Sequence, residues 1–331
     1  MPKFRRLLVL LAGAALAFAP LAASAQVLPA GKWCSKAHFR FFVGGAEGDA
    51  FGTIVYNGAR QAAADLGAQV DYLFSGWDIE KMVEQFRDAV AAHPDGISMM
   101  GHPGSAALFP IAKQAAEEHI RMMYANVDVP DLRKQFGGGY IGAQLEPQGR
   151  ALGEQAINQL GLKSGDKAIV LSDWTNQTRA IREFGTVEAL RDAGLKVIQL
   201  QSPPEWAADP NLAIPVITAA ILNNPDVKVI AYPGGQMLGN VPTYMQAAGK
   251  KPGEIKAIGF DTSPQVVQAF EGGWVQLTSD QEPFLQGYMP ILSLCQQVVL
   301  GLGAFSLDTG AGFVTPDNYK LVGDLAKQGL R

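Results

Sequence analysis

The sequence predicts an α/β fold made of two doubly wound parallel-sheet lobes, and three observations carry that expectation. Short apolar runs alternate with longer amphipathic ones along most of the chain. The runs of strand type begin about every 25 to 30 residues, the spacing of successive βαβ units. The series then halts in a loop-like stretch, Pro130 to Tyr140, and starts again. Such alternation calls for a parallel sheet with helices on both faces. Its repetition on either side of residues 140–145 calls for two of them.

In chain order, His38-Phe39-Arg40-Phe41-Phe42-Val43 forms the first strand. Phe51 to Leu66 forms a helix, because Ile54, Val55, Ala59, Ala62, Ala63 and Leu66 recur at helical spacing. A strand at Gln69–Phe74, a helix at Ile79–Ala92, a strand at Gly96–Met100, a helix at Ala106–Glu118 and a strand at Ile120–Ala125 complete the first series. After the break, Pro147 to Leu160 is a helix opening at a proline, where the missing N–H would have had no partner anyway. The second series places strands at Ala168–Leu171, Lys196–Leu200, Val227–Ala231, Ile255–Phe260 and Val275–Thr278. Between them lie helices Arg179–Ala193, Leu212–Asn223, Gln236–Ala248 and Pro264–Glu271. Gln281-Glu282-Pro283 reads as a crossing between lobes, followed by a helix at Phe284–Leu300 and a Gly- and Asp-rich tail packed along a lobe surface. The expected lobes are residues 35–142 with 281–306, and 143–280 with 307–331.

The first 25 residues have the layout of a signal peptide. Lys3, Arg5 and Arg6 make a basic start, Leu7 to Ala19 an apolar stretch, and Ala23-Ser24-Ala25 a small-x-small cleavage site before Gln26. An uncleaved anchor helix is the alternative, but the stretch is short for a span and Pro20 interrupts its end. The expectation is a soluble protein exported to the periplasm and cleaved after Ala25. Loss of three basic residues takes the net charge from −4 to about −7. An acidic chain without basic clusters argues against nucleic acid or an anionic membrane as partner. About 305 remaining residues exceed one comfortable core, which again favours two lobes.

Two strand-end loops dominate the functional reading. Gly44-Gly45-Ala46-Glu47-Gly48-Asp49-Ala50-Phe51 follows the first strand, and Ile258-Gly259-Phe260-Asp261 closes a late one. Each puts an acid beside an aromatic residue beyond the carboxyl end of a strand, where open parallel sheets bind small ligands. Carboxylates accept charge-assisted hydrogen bonds from hydroxyls, and aromatic faces pack on the C–H face of a sugar ring. Binding is favoured over catalysis. The glycines after the first strand match neither a dinucleotide fingerprint nor a phosphate loop, and no Gly-x-Ser-x-Gly elbow occurs. Histidines at 38, 93, 102 and 119 lack metal-ligand spacing, so no metal or cofactor is expected. Paired acids also suit a secreted glycoside-processing enzyme, which stays as an alternative.

The chain resembles the type I periplasmic solute-binding proteins of ABC importers, in the ribose-, xylose- and autoinducer-2-binding branch. The features that carry the resemblance are the strand–loop–Phe–helix opening ending in Asn57-Gly58-Ala59, Arg182 before Gly185, Ile258-Gly259-Phe260-Asp261-Thr262-Ser263-Pro264, and Gln281-Glu282-Pro283-Phe284-Leu285-Gln286-Gly287-Tyr288. The resemblance implies three hinge crossings, near 140–145, 279–283 and 304–310, with one ligand held between closing lobes. It implies a monomer that delivers a monosaccharide or sugar alcohol to a membrane permease. A receptor presenting its ligand for chemotaxis or quorum signalling is the other non-enzyme reading. Carried over by position, the ligand residues are Asp49 and Phe51, with Glu47 beside them, then Arg182, Trp206 and Gln281. Asp280 lies next to Gln281 at the last crossing. Asp261 is the strongest of the strand-end acids. Asn126-Val127 departs from the family's Asp-Arg pair, which argues against ribose, though Asn126 can still bond a hydroxyl. Gln236 stands near where relatives place an asparagine, after Gly234-Gly235. His102, in the loop after the third strand, is a further candidate.

Cys34 and Cys295 are the only cysteines. An exported protein permits a disulfide. If the crossing at Gln281 returns the chain to the first lobe, the two share that lobe. A bridge and two separate thiols both remain open on the sequence.

Overall fold

The computed structural model describes residues 32–310 and 312–331. The signal peptide expected over 1–25, with its cleavage site, lies outside the described residues. In the first lobe, β1 (His38–Phe42), β2 (Gln69–Leu73), β3 (Gly96–Met100), β4 (Arg121–Ala125) and β5 (Gly139–Gly142) alternate with α1 (Ala50–Leu66), α2 (Ile79–Ala91), α3 (Gly104–Glu117) and α4 (Pro130–Phe136). After α5 (Leu145–Leu160), the second lobe runs β6 (Lys167–Ser172), α6 (Gln177–Asp192), β7 (Lys196–Gln201), α7 (Glu205–Ala208), α8 (Ile214–Asn223) and β8 (Val227–Tyr232). It continues with α9 (Gly235–Gly239), α10 (Val241–Ala247), β9 (Lys256–Phe260), α11 (Pro264–Glu271) and β10 (Leu277–Asp280). The chain then returns through α12 (Pro283–Leu300) and ends in β11 (Leu307–Asp308), β12 (Gly312–Val314) and α13 (Tyr319–Lys327).

Both sheets have one topology. The first is ordered β2-β1-β3-β4-β5-β11 and the second β7-β6-β8-β9-β10-β12. In each, the order reverses beside the lobe's first strand, the switch point where ligands bind in doubly wound sheets. Alternate residues of β6 and β8 serve opposite faces: Ala168, Val170, Val229 and Ala231 join one apolar cluster, Ile169, Leu171 and Ile230 the other. In the first lobe, Phe39, Phe41, Phe42, Met82, Phe86, Met99 and Leu294 are fully buried in one core. Each such side chain contributes roughly 1.5–3 kcal/mol by leaving water.

Helix α12 begins in the second crossing yet packs on the first lobe, against α1. The backbones touch at Gly58 and Gly287, where an added Cβ would fall 2.0 Å from the Phe284 carbonyl oxygen and 1.9 Å from that of Val55. Only a residue without a side chain permits that approach. The return brings Cys295 to Cys34, and the two form a disulfide between fully buried positions.

The crossings lie side by side: Gln144 N–H donates to Asp308 Oδ1, Thr309 N–H to the Gly142 carbonyl, and Gln286 Nε2 to Thr309 Oγ1. Several expectations need correction. The stretch Pro130 to Tyr140 is not a loop; Pro130 opens α4, and Gly139 and Tyr140 begin β5. The helix expected over Gln236–Ala248 is two, α9 and α10, parted at Asn240 because Pro242 cannot continue an α-helical ladder. The second sheet is not wholly parallel, since β12 runs antiparallel to β10. Residues 307–308 pair with Ile141 and Gly142 of the first sheet, so that lobe extends past 306. Strand β10 sits two residues later than expected and brings Asp280 to its end. Among the described residues no helix is long and apolar enough to cross a membrane.

The disulfide closes a loop spanning 261 residues, and loop-closure entropy over that length is worth about 5–6 kcal/mol in the chain-entropy model. Denatured, unreduced mature protein treated with alkylating agent should therefore take up no alkyl group. The Cys34→Ala/Cys295→Ala variant should lose a few kcal/mol in denaturant unfolding. Two alkyl groups per native-sequence chain would mean that the bridge does not form.

Candidate functional site

The carboxyl ends of both sheets face each other across a cavity of about 140 Å³. From the first lobe, the connections after β1, β2, β3 and β4 contribute Phe51, Trp77, His102 and Asn126 in turn. From the second, the connections after β6 to β9 contribute Asp173 and Arg179, Pro203 and Pro204, Gln236 and Met237, and Asp261. Gln281 enters from the crossing after β10.

One wall is aromatic. Phe51 meets Trp77 at 5.8 Å between ring centroids, and Trp77 meets His102 at 5.1 Å. Trp77 has φ 63°, and its ring occupies the space where a Cβ on Gly44, itself at φ 91°, would lie 2.5 Å away. Pro203, Pro204 and Met237 add apolar surface opposite. The other wall is polar. Asn126 Nδ2 donates to Gln281 Oε1 at 3.1 Å, and Gln281 Nε2 donates to Asp261 Oδ1 at 2.6 Å. Asn126 and Asp261 have φ 61° and 71°, the left-handed region that Asn and Asp tolerate best among residues with side chains. At the end of its strand, each turns its side chain into the cleft.

Charge is arranged in layers. Arg179 lines the cavity, and its Nη1 donates to both oxygens of the buried Glu183, at 3.1 and 2.9 Å. Arg182 donates to Glu183 Oε1 at 3.0 Å and to the Pro233 carbonyl at 2.6 Å. Burial alone would push the Glu183 carboxyl up, but the two guanidiniums outweigh it and hold it below the usual carboxylate range. Burial raises the Asp261 carboxyl, opposed by Arg182 and the bond from Gln281. His102 is buried, with Nδ1 lacking a protein partner. Burial first, then Arg179 and Arg182, bring its pKa down to about 3, so the ring is neutral. Neutral, it offers the cavity one donor and one acceptor.

Of the residues expected from sequence, Phe51, His102, Asn126, Gln236, Asp261 and Gln281 face the cavity. The others do not. Asp49 caps α1, taking Gly52 N–H at 2.6 Å, and its second oxygen receives the Trp77 indole N–H and the Gln236 amide. Glu47 lies in an outer recess. Arg182 is fully buried behind the wall, 3.8 Å above the Phe260 ring. Trp206 is turned into the second lobe's core, because α7 begins at Glu205 and leaves Pro203, Pro204 and Ala207 at the surface of the cleft. Asp280 is occupied by Arg331 at 2.8 Å and by the Glu282 amide. Sequence reasoning passed over Trp77 and Arg179. Trp77 had the strand-end aromatic signal already used for Phe51. Arg179 stands one helical turn from Arg182, on the same face.

A family model described as periplasmic binding protein domain matches residues 40–301. The D-ribose/D-allose-binding protein of Pseudomonas aeruginosa is 27% identical over 210 residues, covering 61% of this chain and 60% of that protein. The chain thus matches less than two thirds of that relative's length. A carbohydrate transporter from Acidothermus cellulolyticus, solved in complex with myo-inositol, is 25% identical with a TM-score of 0.76, covering 89% of this chain and 99% of that one. A galactofuranose binding protein, 17% identical, shares the fold at a TM-score of 0.78 over 89% of this chain and all of the other.

The first site prediction concerns Asp261. Asp261→Asn keeps a residue that tolerates φ 71° and removes only the charge, which Ala would not do without backbone strain. Loss of a charged acceptor in a closed site should weaken ligand binding by about 1.5–3 kcal/mol in calorimetry. Unchanged affinity would place the carboxylate off the ligand.

The second concerns acid. His102 titrates near 3 when folded, against about 6.5 unfolded. The unfolded chain therefore takes up the proton first, and stability drains away as pH falls from about 6.5 toward 3. Between pH 7 and 5 this residue should remove about 2 kcal/mol. Urea unfolding at the two pH values should show that difference shrinking by about this amount in His102→Gln. An identical pH dependence in both proteins would contradict it.

Proposed function

We propose that this chain, which belongs to the periplasmic binding protein family, captures a monosaccharide or sugar alcohol between its two lobes and hands it to an ABC transporter permease. The observation that carries the reading is the facing of two wall types across one cleft. Phe51 and Trp77 give an apolar face for ring C–H groups, while Asn126, Asp261, Gln281 and Arg179 line the same cavity with hydrogen-bonding groups. A polyhydroxylated ring presents both surfaces at once.

Net charge at the site supports a neutral ligand. Arg179 and Arg182 balance Glu183 and Asp261, His102 is uncharged, and Asp173, bonded to Thr175 and Gln201, is a further acid on the lining. An anionic ligand would meet no spare counter-charge in a site that disfavours unpaired ions. The named ligands of the relatives, ribose, allose and myo-inositol, are of this neutral kind. Export by the signal peptide, with the mature protein in the periplasm, places it where a permease collects its cargo. The protein's role is binding, and the bound molecule leaves unaltered.

Thermal shift across pentoses, hexoses and polyols should yield at least one ligand that raises the melting temperature by mass action, without product on prolonged incubation. Small-angle scattering should show a smaller radius of gyration with that ligand, since a molecule bridging both lobes favours the closed state. A panel without any shift, or hydrolysis of a glycoside, would refute the reading.

A further inference from the structure

We infer that Asp49 is a positioning residue that holds the cleft shut, through Gln236 across it and Trp77 beside it, and thereby sets how long a bound ligand stays. The inference rests on the reading of the cavity as a ligand site. Asp49 was expected to touch ligand, but it does not line the cavity. Its Oδ1 is committed to the Gly52 amide at the start of α1, while Oδ2 receives the Trp77 indole N–H at 3.1 Å and the Gln236 amide. Asp49 belongs to the first lobe and Gln236 to the second, 187 residues away in the chain. The contact therefore joins the lobes without passing through any crossing.

Position gives the contact its consequence. Outside the cavity lies a recess of about 320 Å³, which Glu47, Asp49 and Asn240 help to line. Trp77, Ala207 and Gln236 face both spaces. A molecule leaving on this side must part Gln236 from Asp49 and displace the Trp77 ring. Of the three donors on this half-buried carboxylate, Gln236 alone comes from the second lobe, so opening the lobes costs a charge-assisted bond.

The test is Asp49→Asn, which keeps an oxygen to cap α1 but turns an NH2 group toward two donors. In stopped-flow displacement of the best sugar from the thermal-shift panel, koff should rise about ten- to a hundredfold, the loss expected for hydrogen bonds to a charged group, with kon changed less than about threefold. Adding Gln236→Glu restores the donor–acceptor pair in reverse and should recover most of the residence time, which a merely structural role for Asp49 would not predict. An unchanged koff, or a double variant as fast as the single one, overturns the inference. If Asp49→Asn shows no cooperative melting, Gln236→Met removes the same bond from the other lobe and must give the faster release. A spin-label pair across the cleft of ligand-free protein gives a ligand-independent reading: the short-distance population should fall in Asp49→Asn, and an unchanged distribution counts against the latch. A wild-type protein that binds nothing in the panel refutes the sugar-site reading, and that distribution then decides the latch separately.

Discussion

Gln281 occupies the crossing between β10 and α12 and lies in neither sheet, yet its amide ties the two lobes at the floor of the cleft. Oε1 accepts from Asn126 of the first lobe and from Gln286, and Nε2 donates to Asp261 of the second. The position demands a group that accepts and donates together. A carboxylate could not donate to Asp261, and a lysine could not accept from Asn126. The ends of β4 and β9 are built to meet it. Asn126 N–H bonds the Ile141 carbonyl and Asp261 N–H that of Ser279, so each backbone stays in its ladder while a left-handed φ turns the side chain toward the crossing. The position of Asp261 in the cavity thus depends on Gln281 and on the backbone turn together.

The second constraint is the cost of burying charge. Glu183 and Arg182 are both about 1% exposed, and ions that deep persist only when each is paired and fully hydrogen-bonded. Glu183 accepts from Arg179, Arg182 and Ser172. Removing one member would leave the rest uncompensated, a loss of about 3–5 kcal/mol. The cluster fixes Arg179 with Nη1 spent on Glu183 and Nη2 bonded to the Pro233 carbonyl. That guanidinium reaches the cavity already oriented, so little conformational entropy remains to be lost when a ligand binds.

These two constraints explain what could be read from the sequence. Alternation of apolar runs and helical periods located nine of the strands and most helices, because both signals are local. Asp261 and Phe51 were legible for the same reason: an acid or aromatic residue at the end of a buried strand has a direction fixed by the strand. Arg182 was misplaced because helical spacing cannot distinguish two arginines three residues apart. Both bond Glu183 of their own helix, and their roles are divided by the Phe260 ring, which packs on Arg182 from a strand distant in sequence. Asp280 was misjudged because its partner, Arg331, lies 51 residues further on. Strands β5, β11 and β12 are two to four residues long and carry almost no periodic signal. They exist because the crossings bring them beside longer strands.

In the proposed reading, binding divides between two sets of residues. Asn126, Gln281 and Asp261 form the floor, joined through the crossing that carries Gln281. Asp49, Trp77 and Gln236 form the mouth, and the Gln236–Asp49 bond exists only while the lobes are together. Floor contacts reward a ligand for its hydroxyl pattern, whereas mouth contacts reward closure whatever the ligand is. A protein that must both bind and surrender its cargo gains from that separation. Parting the mouth breaks the one hydrogen bond from Gln236 to Asp49, while the bond from Trp77 stays within the first lobe. Release needs no disruption of the buried Arg179–Glu183–Arg182 cluster, whose loss would threaten the second lobe itself.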